Sequence, residues 1–135
     1  MDIEEAFVAY LKAHTGLAAL VSTRIYPDER TQSVATLPAV SYQLVSNVLL
    51  HTLTGQSKQE SPVYQFTVYA SSRSSAKAVA AQIKAALSDY VGTMGGLQVQ
   101  KIELENELYG VDKSADGTVK INTADLEFTI TYEKE

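Results

Sequence analysis

Cysteine is absent from the 135-residue chain. That excludes disulfides, thiolate metal sites and a cysteine nucleophile, and it leaves the redox compartment open. Histidine is scarce: only His14 and His51 occur. Histidine-carboxylate metal sites need two or three ligands at short spacing, and these two stand apart. His14 falls near a helix C-terminus, where an imidazole complements the dipole. His51 falls in a strand and reads as a surface or interface residue. No Gly-x-Ser-x-Gly nucleophile elbow occurs. The glycine-rich stretch Gly92-Thr93-Met94-Gly95-Gly96 follows a helical segment, lacks the lysine of a P-loop and leads into a strand. It reads as a helix-to-strand turn. The formal charge of −5 and pI of about 5.0 oppose tight binding of phosphate backbones. The N-terminus, Met1-Asp2-Ile3-Glu4-Glu5, is acidic where a secretory leader would be basic. No apolar run reaches bilayer-spanning length. These absences predict no catalytic residue, no metal, no cofactor and no membrane partner, with synthesis in a cytoplasm.

What is present suits an ordinary globular protein. Hydrophobic residues make up 45% and charged residues 20%, so disorder is not expected. The length predicts one domain over residues 1–135. Asp2 and Glu5 form a capping-box pattern ahead of Ile3, Ala6, Phe7, Tyr10 and Leu11, which share a helical face. Gly16 is the expected stop, and Leu17–Val21 reads as a further helical turn. Arg24-Ile25-Tyr26-Pro27 is extended, because the residue before proline avoids helix. Residues 28–37 read as a loop. After Pro38, the alternation of Val40, Tyr42 and Leu44 marks a strand with one buried face. Gly55–Ser61 reads as a turn or loop. Tyr64, Phe66, Val68 and Ala70 alternate in the next strand.

Ser71-Ser72 caps a helix from about Ser74 to Tyr90, with Ala76, Val79, Ala80, Ile83, Leu87 and Tyr90 inward and Lys77 and Lys84 outward. Leu97–Tyr109 is strand-like, and a phase shift between Val99 and Ile102 calls for a bulge near Gln100. Ala115-Asp116-Gly117 is a hairpin signal before a last strand, Val119–Tyr132. The order predicts an α+β fold: a mainly antiparallel sheet of four to five strands with two helices packed on one face. Tyr42, Tyr64, Tyr90 and Tyr132 fall on core-facing positions, so the aromatics read as core rather than as a base-stacking platform.

Two features exceed what a core needs. Glu103, Glu105 and Glu107 alternate, which on a regular strand puts three carboxylates on one face at roughly 6.5–7 Å spacing. Such a face is most simply solvated. It could also serve a small α/β ligand-binding or enzymatic domain, or line a channel through which DNA slides without sticking. The second feature is the segment 46–61. Val48 and Leu50 have one parity, Leu49 and Leu53 the other. A single domain face cannot bury both sets. Either the hairpin folds back on its own domain, or another subunit covers Val48, Leu49, Leu50, His51 and Leu53.

The pieces in order resemble the bacteriophage tail-completion family. They are the acidic helix Asp2-Ile3-Glu4-Glu5-Ala6, then Leu20-Val21, then Arg24-Ile25-Tyr26-Pro27. Leu37-Pro38-Ala39-Val40-Ser41-Tyr42-Gln43 follows, with a histidine-bearing strand ending at Gly55. Tyr64-Gln65-Phe66-Thr67-Val68-Tyr69-Ala70-Ser71 then leads into the helix with Ala76 and Ala80. The part after Tyr90 carries little of the likeness. The resemblance implies a tail-terminator-like fold and a structural, non-enzymatic role in the virion. It implies a ring, typically a hexamer, at the head-proximal end of the tail tube. There it would complete the tail and join it to the head. Its partners would be copies of itself, the major tail tube protein and head connector proteins, with DNA as passing cargo. A ring interface is heterologous, so two different patches must meet. The 46–61 hairpin and the 28–37 loop are then the expected contact elements, and Glu103, Glu105 and Glu107 would face the lumen.

Overall fold

A computed structural model describes residues 3–22, 25–27, 38–46, 49–52, 55–113 and 120–133, with the backbone alone described at 49–52, 55–59, 112, 113 and 120. The elements are α1 (Ile3–Ala13), α2 (Thr15–Val21), β1 (Ile25–Pro27), β2 (Ala39–Ser46), β3 (Leu49–Thr52), β4 (Gly55–Glu60), β5 (Val63–Ala70), α3 (Arg73–Leu87), β6 (Gly92–Met94), β7 (Leu97–Lys113) and β8 (Lys120–Glu133). The fold is α+β, as expected. Its detail corrects the expected four to five strands and two helices: three helices and eight strands of one mixed sheet are present among the described residues.

The extra elements are short ones. The first helix ends not at Gly16 but at His14, whose backbone is extended (φ −74°, ψ 111°) and precedes α2. Gly16 lies inside α2, where the end of the Gln82 side chain of α3 occupies the space a β-carbon would take. Strand β6 pairs with β7 through Met94 and Leu97. Gly95 and Gly96 join them at φ 58° and 85°, the positive pair that a tight hairpin turn needs. Strand β1 runs parallel to β2.

The centre of the sheet is antiparallel: β2 pairs with β5, β5 with β8, and β8 with β7. Strand β8 is flanked on its second side by β5 and then by β4, which pairs through Gln59 and Glu60. Pro62 stands between β4 and β5; it has no N–H, and its carbonyl accepts from Ile130 N at 2.9 Å. One face of the sheet carries Val40, Tyr64, Phe66, Val68, Leu126, Phe128 and Ile130, all buried. Helix α3 covers it with Ala76, Val79, Ala80, Ile83 and Leu87. Ser72 caps α3 by accepting from Ser75 N at 3.1 Å, which satisfies one of the first-turn donors. Phe7 of α1 packs edge-on against Tyr42, Tyr64 and Phe66 with centroids 4.9–5.3 Å apart. Phe66 packs likewise on Phe128 at 5.8 Å. Such pairs add to area burial.

Candidate functional site

Strand β7 sits beside β8 and carries the three glutamates. Its register shifts twice, between Val99 and Lys101 and between Leu104 and Asn106. The first shift is the bulge expected near Gln100. The second, at Glu105, was hidden in the sequence and changes the acidic stripe. Glu103 lies opposite Thr129, but after the bulge Glu107 lies opposite Leu126. Cross-strand partners share a face, and Leu126 faces the helices. The expected common face of Glu103, Glu105 and Glu107 is therefore broken: an extra residue flips everything beyond it. Glu103 and Glu105 are exposed, and Glu107 is half-buried.

Glu107 turns toward α3 and meets Lys84 Nζ at 2.9 and 3.2 Å. Lys84, expected on an outer face, is thus half-buried in an ion pair. The Tyr109 hydroxyl donates to the same carboxylate at 2.5 Å. That hydrogen bond, then Lys84, holds the Glu107 carboxyl below the ordinary carboxylate range. The hydrogen bond together with burial pushes the Tyr109 phenol up to about 12. Arg73 and Lys77 lie over the Tyr109 ring, 5.3 and 5.9 Å from its centroid. The arrangement is a closed latch between β7 and α3, with the carboxylate occupied at both oxygens. A cavity of about 160 Å³ lies beside it, lined by Arg73, Tyr109, Gly110, Val111, Asn122 and Thr123. Its described lining includes none of the three glutamates and not His14. Among the described residues, no group of three or more His, Asp or Glu could hold a metal ion. His14 instead sits between α1 and α2, its Nε2 3.4 Å from Gln82 Oε1.

The second candidate is the hairpin between residues 46 and 61. Gly55–Glu60, expected as a turn or loop, is strand β4. Strands β3 and β4 carry on where β2 and β5 leave off. Gln59 of β4 pairs with Glu133, the last described residue of β8. Residues 55 and 56 pair with β3. The hairpin therefore runs past the described end of β8 by about four residues, roughly 14 Å. At its base Tyr132 donates to Glu60 at 2.5 Å, and the Ser61 and Thr131 hydroxyls lie 3.1 Å apart. These bonds tie the root of the hairpin to β8. Of the expected contact residues, Leu49, Leu50 and His51 are on β3, with only their backbone described. Val48, Leu53 and the 28–37 loop lie outside the described residues.

The sheet has two open edges among the described residues. On one side, β1 covers β2 only as far as Tyr42, leaving 43–46 and then β3. On the other, β6 covers β7 only from Leu97 to Val99. No expectation from sequence singled out Leu108 and Val111 of β7, yet both are exposed; they lie opposite Asp125 and Asn122, on opposite faces of the sheet.

A family model described as "Tail completion protein gp17" matches residues 5–133. None of the curated proteins matches the sequence. Among solved structures, a chain from the virion of a native gene transfer agent particle is 21% identical, with a TM-score of 0.71 over 97% of this chain and 94% of that one. A second solved chain is 17% identical, with a TM-score of 0.54 over 98% and 96%. At such identity the likeness is one of fold.

Proposed function

We propose that this chain, which belongs to the tail completion protein gp17 family and so has a structural role in the phage tail, closes the tail tube as a ring and joins the tail to the head. The observation that carries the reading is the hairpin β3–β4. It extends past the described end of β8 with its root fixed by Glu60 and Ser61. Beside it, Leu44 and Val45 of β2 are 47% and 46% exposed, an apolar edge of the kind another subunit covers. The hairpin's first strand, Leu49-Leu50-His51-Thr52, contains no Asp, Glu, Lys or Arg, and Lys58 and Glu60 stand on the second. In the ring, copies of the chain contact one another, the tail tube protein lies on one side and head connector proteins on the other. The ring occupies the head-proximal end of the tail in the virion, after assembly in the host cytoplasm. The chain acts as one domain and catalyses nothing.

Glu103 and Glu105 remain candidates for the lumen, where negative charge would keep passing DNA from adhering. Glu107 leaves that set, because Lys84 and Tyr109 occupy it. The Glu103→Lys/Glu105→Lys variant should assemble normally but slow DNA ejection; an unchanged ejection rate would remove the lumen assignment. The broader reading is tested by deleting the gene in its phage. Separate filled heads and complete-length tails are expected, and adding purified protein should restore joined particles. Joined particles in the deletion would overturn it.

A further inference from the structure

The two open sheet edges are complementary. Strands β5 and β7 both run antiparallel to β8, so they share one direction, and β2 runs opposite to them. Rotation about an axis inclined to the strands by roughly 35–45°, the tilt of a closed sheet, keeps each strand's sense and staggers neighbouring copies. Strand β7 of one copy, set beside β2 of the next, then meets it antiparallel, the more favourable ladder. Both edges also expose apolar side chains. Leu44 and Val45 are 47% and 46% exposed on β2, and Leu108 and Val111 are 58% and 65% exposed on β7. These are four of the five large hydrophobics exposed among the described residues; the fifth is Val91.

Charge selects between pairings. Residues 43–52 contain no Asp, Glu, Lys or Arg, whereas 102–113 contain Glu103, Glu105, Glu107, Asp112 and Lys113. A long edge without charge is ordinarily a liability that proteins guard against. Here its natural cover is a strand that brings its own charges without meeting like charges. Two β7 edges face to face would set glutamate near glutamate, which is unfavourable. We propose that a second copy of this chain docks head-to-tail, its β7 edge pairing with the β2–β3 edge of the first, so that the sheet continues from subunit to subunit. Within one copy Leu108 stands level with Ser41, where β1 still covers β2, and Leu44 level with Leu104. A stagger of about five residues along the joint sets Leu108 diagonal to Leu44 and Val111 diagonal to Val45, past the end of β1. This deepens the ring reading and rests on it. A heterologous contact of this kind closes into a ring when its rotation divides the circle.

The chain has no native cysteine, so introduced thiols report single positions. Purified tails carrying Val45→Cys/Val111→Cys would be treated with a short bis-maleimide. A ladder of covalent oligomers up to the closed ring is expected, with neither single variant linking. Should Val45→Cys disturb folding by circular dichroism, Leu44→Cys/Leu108→Cys takes its place. Dimers from Val111→Cys alone would show a two-fold β7 contact and overturn the proposal. So would tails whose micrographs show a ring but whose double variant stays monomeric, leaving the ring reading intact. Tails without any ring at their end would overturn the ring and the joint together.

Discussion

The sheet has a body and an extension, and they are built on different terms. In the body, β5 and β8 bury every second side chain: Tyr64, Phe66, Val68 and Ala70 on one, Ala124, Leu126, Phe128 and Ile130 on the other. Pairing and burial end in different places. The β2–β5 ladder goes on through β3–β4, while Leu44, at the edge of the body, is already 47% exposed. The body is stable because its apolar face is covered by helices from the same chain. The extension has ladder partners but, at Leu44 and Val45, no full cover, and that is what makes it a surface for assembly.

The contrast can be broken most sharply by substitution. Phe128→Ala removes a fully buried ring between α3 and Phe66, and should cost about 3–5 kcal/mol in a denaturant titration. Leu108→Ser and Val111→Ser on the exposed edge should each stay within about 0.5 kcal/mol of the parent, yet reduce incorporation into tails. Equal stability losses in both regions would erase the distinction.

A smaller effect is expected at the helix cap. Ser72→Ala leaves the Ser75 N–H without its acceptor and should cost about 1 kcal/mol, read as a lower denaturant midpoint with an unchanged slope.

The latch between β7 and α3 should show in the pH dependence of stability. The folded carboxyl of Glu107 lies below its unfolded value. Its contribution is therefore present above the unfolded value and lost as pH falls through the folded one. For Tyr109, whose folded value is about 12 against about 10 unfolded, the contribution is complete below about 10 and lost as pH rises toward 12. Glu107→Gln should flatten the acid limb and Tyr109→Phe the alkaline limb. Both limbs unchanged in the variants would dismiss the latch.

Much of the body was legible in sequence because its periods are unbroken. Helix α3 and strands β5 and β8 each bury a regular set, and the phase jump near Gln100 marked the first bulge through the apolar residues on either side of it. The second bulge left no such mark: Glu103, Glu105, Asn106 and Glu107 are all polar, so no hydrophobic phase is broken, and the stripe looked continuous. The break at His14 was masked by Gly16, a better stop signal that instead lies inside α2 beside the Gln82 side chain. Strands β1 and β6 are three residues long, too short for an alternation to register. At the candidate site, the surplus apolar residues around Leu49 pointed to the hairpin. The exposed pair Leu108 and Val111 did not stand out, because three residues apart on a strand they fall on opposite faces and form no stripe.

The most direct measurement is made on particles assembled with Leu49→Ser/Leu53→Ser. The variant should melt as the parent does, since the hairpin lies past the helix-covered sheet, while electron microscopy finds separate heads and tails in place of joined virions. Joined virions at the parent's frequency, from a variant with unchanged melting, would contradict the assembly role of the hairpin.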